Sequence, residues 1–294
     1  MEPPKYDGFI QRIGFNKFDY FVPQLNTIEE LIEALKQDIF FKVYKNDAKR
    51  KLSSMRYMFE KDDGYHIKFM KEFLSLCYDA ELINEISEVK KYLNKILKNS
   101  LLEELFADKF ENIKSLDILV NKFEEIILEQ NQMIKYGSCV ALRHVATGKY
   151  LTSIDTTYQN NYSLVFAGKN LPTSDSLWII GTENSDYGDN IINYRDSRIL
   201  LLHKITNKKL DYIDGRCVTS FVNYHWRFRN SKSKEKRSFV KSQDIINIHI
   251  DHGKSVVRSH EITFKVGNET FQEVAYLEER IGGNDEWCIE LIIN

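Results

Sequence analysis

Residues His144 to Leu151 read HVATGKYL, and two later stretches write the same phrase in altered form: HKITNKKL from His203 to Leu210 and HIDHGKSV from His249 to Val256. Aligned on the histidine, each gives His, three residues, Gly or Asn, Lys, one residue and a branched apolar side chain. A phrase that returns at roughly fifty-residue intervals is an internal repeat, and the repeat decides the fold before any single residue is interpreted.

Each copy follows an apolar, β-branched run (CVALRH, RILLLH, DIINIHI) and places Gly or Asn where a tight turn needs positive φ. The Lys beside that turn can stay in solvent, and a returning strand begins at Leu151, Leu210 or Val256. A tryptophan in a short apolar run closes each copy: LWII at Trp178, HWRF at Trp226 and EWCI at Trp287. One hairpin cannot bury its own apolar face. Three hairpins, each closed by a strand bearing an indole, can pool those rings about a pseudo-threefold axis, so the spacing predicts a β-trefoil. Starting the third copy at His260 (HEITFK) keeps the Thr and Lys but puts Phe264 where the turn needs Gly or Asn, and that register is rejected.

Ahead of the repeats the period changes. From about residue 26 to 132 apolar residues recur at helical spacing: Ile28, Leu31, Ile32, Leu35 and Ile39 after a Thr27/Glu30 capping box, then Leu82, Ile86, Val89, Leu93 and Ile96, then Ile113, Leu116, Val120, Phe123 and Ile127. These predict a bundle of about five helices whose charges alternate on solvated faces; the two-heptad seams are too short for a coiled coil and pack internally. The fold class is therefore α+β and multidomain, a helical bundle over 1–132 followed by an all-β trefoil over 133–294. No Gly/Ser linker separates them, so the last helix runs almost directly into the first strand.

Composition sets the outer limits. A chain of 294 residues, 43% hydrophobic with a net charge of −2, builds real cores and exerts no global pull on nucleic acid, so nucleic acid is not an expected partner. No stretch approaches the roughly 18 consecutive apolar residues of a membrane span. The opening MEPPKYDGFIQ lacks the basic cluster and apolar run of a secretory leader, which predicts the cytosol or nucleus. Cys77, Cys139, Cys217 and Cys288 form no C-x-x-C pair and read as reduced thiols.

The stretch YGSCVALRHVATGKYLTS resembles the opening repeat of the MIR domain, the β-trefoil module of protein O-mannosyltransferases, inositol trisphosphate and ryanodine receptors, and stromal-cell-derived-factor-like proteins. In the third copy RSH (258–260), FQEV (271–274) and NDEWCIE (284–290) follow the order of that family, whereas YRDSRILLLH in the second lacks the Gly before the strand. The resemblance covers about residues 133–294 and implies architecture more than activity.

Candidate chemistry is sparse. The histidines of the three copies sit at matching hairpins, which does not bring their rings to one zinc, and a ring nitrogen bonded to turn backbone is the simpler role. The three tryptophans read as core. Tyr158, Tyr162 and Tyr187, in turn-rich pieces, are better placed to stack on a sugar. GKS at 253–255 does not complete a phosphate-binding loop, because Ile248 stands where that loop needs Gly. No hydrolase elbow, zinc helix or dinucleotide fingerprint occurs, and the acid pair Asp62/Asp63 lies in a charged segment. No catalytic set, metal site or cofactor is expected. The one charged cluster, RFRNSKSKEKR, places Arg227, Arg229, Lys232, Lys234, Lys236 and Arg237 within eleven residues, either as an anion site or as a solvated loop. The function read from sequence is a non-catalytic binding or adaptor protein with a protein partner. Sensing of an inositol-phosphate-like anion is the alternative, and glycan binding stands behind both.

Overall fold

A computed structural model describes residues 27–57, 65–98, 101–107, 109–158, 162–183, 191–194, 196–230, 239–251, 255–266, 268–278 and 282–293. Lys232, Lys234, Lys236, Arg237, Asp62, Asp63, Tyr187 and Gly253 lie outside them, as does the side chain of Tyr158. The chain is mixed α+β and divides into two compact units, 1–128 and 129–294.

In the first unit the described residues form α1 (Ile28–Gln37), α2 (Ile39–Ser54), α3 (Tyr65–Asp79), α4 (Ile86–Leu97), α5 (Leu101–Ala107) and α6 (Leu116–Asn131), which runs past the division. The capping box forms: the Glu30 amide donates to Thr27 Oγ1 at 3.1 Å and the Thr27 amide to Glu30 Oε2 at 3.3 Å. The run from Ile28 to Tyr44, which reads as one helix, breaks at Asp38. Its backbone is extended (ψ 142°) and its carboxylate accepts the Phe40 amide at 2.6 Å, so Asp38 caps α2 and ends α1. Val89, Leu93 and Ile96 of α4 and Phe123 and Ile127 of α6 are buried, as their spacing predicts. They join Leu52, Phe73 and Phe106 around Phe69, whose ring stacks on Phe123 with centroids 5.7 Å apart.

The described residues of the second unit form a twelve-stranded antiparallel sheet. Six strands close a ring: β1 (Cys139–His144) on β4 (Leu177–Gly181), β4 on β5 (Leu200–His203), β5 on β8 (Trp226–Asn230) through the Ile199/Trp226 bridge, β8 on β9 (Ile245–Ile250), β9 on β12 (Trp287–Leu291), and β12 back on β1. Three hairpins cap it, β2 (Leu151–Tyr158) with β3 (Tyr162–Ala167), β6 (Lys209–Ile213) with β7 (Arg216–Ser220), and β10 (Ser255–Val266) with β11 (Glu269–Glu278); β3, β7 and β11 also pair with one another.

The threefold pattern is written in the backbone. Ile134 N–H donates to Val240 O, Val240 N–H to Ile192 O and Ile192 N–H to Ile134 O, each at 2.8 Å, so the bonds return on themselves after three steps. One residue on, the amides of Lys135, Asn193 and Lys241 donate to the side chains of Ser138, Ser197 and Asp244 at 2.9, 2.9 and 2.8 Å. Trp178, Trp226 and Trp287 are fully buried in one core, and each indole N–H finds a carbonyl: Leu151 O at 2.9 Å, Leu210 O at 3.1 Å and Val257 O at 2.9 Å.

These bonds correct the third copy by one residue. Leu151 and Leu210 are the final residues of their phrases, yet the third indole uses Val257, not Val256. Trp287 lies opposite His144 and Trp178 opposite His203, whereas Trp226 lies opposite Ile250, with His249 opposite Arg227. The amides of Val145, Lys204 and Asp251 donate to Glu286, Leu177 and His225, the residue before each tryptophan. Ile250 therefore stands where the other copies have histidine. His260 lies inside β10, away from any turn.

Candidate functional site

The two equivalent histidines have a shared structural role. His144 Nε2 lies 3.1 Å from Asn284 O and Nδ1 2.9 Å from Thr147 Oγ1; His203 repeats both contacts with Asp175 O at 3.1 Å and Thr206 Oγ1 at 2.9 Å. A carbonyl only accepts, so Nε2 carries the proton and Nδ1 accepts from the threonine hydroxyl. Burial pushes both rings below the ordinary histidine pKa, which keeps them neutral. The backbone bond thus goes to the turn ahead of the neighbouring tryptophan and not to the histidine's own turn. Among the described residues no group of three His, Cys, Asp or Glu side chains is arranged to hold a metal. All four cysteines are unpaired and buried, and burial lifts the Cys77 thiol to about 12, far from a reactive thiolate.

The predicted basic cluster separates into two kinds of residue. Within β8, Trp226 and Phe228 point into the core while Arg229 is exposed. Arg227 forms an ion pair with Asp251, which also holds Arg198 at 2.6 Å, and the Asp251 side chain is 6% exposed. Arg227 therefore belongs to a clamp on the buried Asp251 carboxylate, between β8 and the start of the third turn. Its companions Lys232, Lys234, Lys236 and Arg237 lie outside the described residues.

A different locus emerges when the copies are superposed through their tryptophans. The residue after each indole's carbonyl partner (Thr152, Asp211, Arg258) and the residue two before each tryptophan (Ser176, Tyr224, Asp285) occupy matching places. In the third copy they form a buried ion pair, Arg258 Nε to Asp285 Oδ1 at 3.2 Å. In the first, both are small hydroxyls satisfied at home: Thr152 Oγ1 donates to Tyr150 O and Ser176 Oγ to Thr173 O.

The second copy breaks the pattern. Asp211 is 2% exposed, its Oδ1 accepts the Tyr212 amide and its Oδ2 the Ser220 hydroxyl, both at 2.6 Å. Ser220 Oγ in turn accepts the Val222 amide at 3.0 Å. Burial raises the carboxyl pKa against the pull of those two bonds, and among the described residues no cation pairs with it. The lysines of the preceding turn are directed elsewhere: Lys209 to Phe221 O at 3.2 Å, Lys208 to Asp155 at 2.9 Å and Ser163 at 2.6 Å. Tyr224 feels the carboxylate, whose charge is the first cause of its raised pKa. The Tyr212 ring lies 5.1 Å from Tyr224 and 4.2 Å from Tyr276. The segments before Trp178 and Trp287 each make a short 3-10 turn, Ser174–Ser176 and Gly283–Asp285, but residues 221–225 make none and leave Phe221 70% and Val222 53% exposed.

Neither Asp211 nor Tyr224 stands out in the sequence. The signal that reveals them is positional, eight residues after His203 and two before Trp226, and it becomes readable only once the copies are aligned through their strands. Chemically the locus is a buried carboxylate held by two internal donors, the Tyr212 amide and the Ser220 hydroxyl.

No family model matches the chain, and no curated protein matches it. Solved structures with a similar backbone include the SDF2-like protein of Arabidopsis thaliana (21% identity, TM-score 0.44, over 53% of this chain and 94% of that one) and the S. cerevisiae protein O-mannosyltransferase Pmt1-Pmt2 complex bound to the sugar donor (13%, 0.45, 85% and 43%). A Macrolepiota procera ricin B-like lectin in complex with lactose is also similar (11%, 0.37, 54% and 99%). At these identities and scores the likeness carries no argument, and the architecture described above rests on its own hydrogen bonds.

Proposed function

We propose that the chain is a non-catalytic binding protein in which residues 133–294 form an MIR-type β-trefoil that presents loop side chains, and residues 1–132 form a helical domain that contacts a protein partner in the cytosol. The observation that carries this reading is where the threefold pattern holds and where it fails. The closed backbone ring, the indole bonds and the neutral histidines are all engaged in packing, while the copies diverge at the hairpin and pre-tryptophan positions, where a binding scaffold carries its specificity. Tagged full-length protein incubated with native cytosolic extract is expected to recover a protein partner saturably, with loss on adding excess untagged chain. Recovery that untagged chain does not compete would overturn the reading.

Anion sensing keeps a narrower basis, since Arg227 is taken up by Asp251 and Arg229 is the exposed arginine of β8. Isothermal titration with inositol phosphates checks it. Heat that vanishes on changing Lys232, Lys234 and Lys236 to Glu would favour the sensor over the adaptor.

A further inference from the structure

The geometry points to a binding site for a phosphate monoester on the outer face of β8, formed by Arg198, Arg227 and Arg229. It rests on the anion-sensing reading and gives that reading a place and a ligand class.

Placement, charge and symmetry converge there. Ile199 bridges Trp226, which sets Arg198, the residue before it, beside Arg227; both guanidiniums engage the Asp251 carboxylate through Nε, Arg198 at 2.6 Å. Trp226 and Phe228 are buried in the core, so Arg227 and Arg229 share the opposite face of β8, about 7 Å apart along the strand. The Arg198 side chain is 51% exposed and Arg229 is exposed, whereas the Asp251 side chain is 6% exposed. Three positive charges therefore surround one buried negative charge. Asn247 and His249, opposite Arg229 and Arg227, add no negative charge, and Asp285 is taken up by Arg258. Glu183 lies beyond the start of β8, against His225 at 3.2 Å, on the side of Arg227 away from Arg229. The excess positive charge suits a phosphate monoester, which carries about −1.5 to −2 near pH 7.

The fold does not demand this cluster. Val140, Ile199 and Ile246 stand opposite the three tryptophans, so the counterparts of Arg198 are Cys139 and Ile245, and those of Arg227, one residue after each tryptophan, are Ile179 and Cys288. Two copies close the same joint with apolar side chains, so packing alone does not account for the arginines of the second. Asp251 holds two guanidinium planes in fixed orientations, and bonding through Nε leaves the Nη edge of the exposed Arg198 to a second acceptor. A phosphate gripped by guanidinium forks needs no enclosing cavity, because water completes the shell of its remaining oxygens.

Isotope-labelled full-length protein titrated with glycerol 3-phosphate at constant ionic strength tests the site, with NMR following the backbone amides and Nε–H groups of the three arginines. Saturable shifts are expected with half-saturation on the order of 0.1–10 mM, and neither glycerol nor chloride should produce them. N-acetyl-phosphoserine-N-methylamide is the second arm: binding no tighter than glycerol 3-phosphate assigns a small phosphorylated molecule, and tighter binding assigns a phosphorylated side chain. Arg198→Gln and Arg229→Gln, both at exposed side chains, should each weaken binding at least about fivefold, since each removes a charge-assisted fork. Shifts that fail to saturate, that chloride reproduces, or that both variants leave within about twofold of the parent would overturn the proposal. Heat lost on changing Lys232, Lys234 and Lys236 but kept in these two variants sustains anion sensing while overturning this site, so the two readings fail separately.

Discussion

His249 shows how a single buried ring sets a pH dependence. It is fully buried beside Arg229, and burial first and that charge second push its pKa down to about 4. The unfolded chain titrates near 6.5, so between those values it binds more protons than the folded one. Stability is therefore complete above about pH 6.5 and falls as the pH drops toward 4, by about 2–3 kcal/mol from this residue. His144 and His203, shifted the same way by burial, add to the loss. Urea midpoints measured from pH 7 to pH 5 should fall steeply in the parent protein and less steeply in His249→Leu; parallel slopes would refute the assignment. The same residue marks the limit of reading by residue type. In the sequence His249 looks like the third member of a histidine set, but side chains alternate along a strand, and a one-residue slip moves every side chain to the opposite face. Ile250 takes the matching place, so only two histidines share the turn role.

The turns were more legible than the register. A Gly or Asn four residues after the histidine signals positive φ, and Gly148 (φ 71°) and Asn207 (φ 57°) both adopt it, each donating its amide to the histidine carbonyl at 2.8 Å. A Cβ at Gly148 would meet nothing within 4 Å, so the cost of adding one is conformational only. Gly148→Ala is expected to destabilise by about 1 kcal/mol, and Asn207→Gly to change stability by less than about 0.5 kcal/mol. Thermal unfolding of the two variants would distinguish this from a steric role, in which Gly148→Ala would cost several-fold more. The break between α1 and α2 was less legible, because Asp38 continues the helical charge pattern and shows its capping role only through its extended backbone. The Asp211 locus was not legible at all. Thr152, Asp211 and Arg258 share no chemistry, and what they share is a place beside an indole-bonded carbonyl.

At the scale of the whole molecule, the switch from helical to strand spacing reflects two hydrophobic cores that have no residue in common, one around Phe69, Phe73 and Phe123 and one around the three tryptophans. All three tryptophans of the chain lie after residue 133, so indole fluorescence reports on the β unit, whereas far-ultraviolet circular dichroism is weighted toward the helices. Phe73, fully buried in the helical core, should cost about 3–5 kcal/mol on truncation to Ala, and Ile180, fully buried in the other, about 2–5 kcal/mol. If each core supports its own cooperative unit, Phe73→Ala moves the dichroism transition in urea and leaves the fluorescence transition in place, while Ile180→Ala does the reverse. Should either variant move both transitions together, the chain unfolds as one unit, and stability at the Asp211 locus is set by helices far away in sequence as well as by the ring of strands around it.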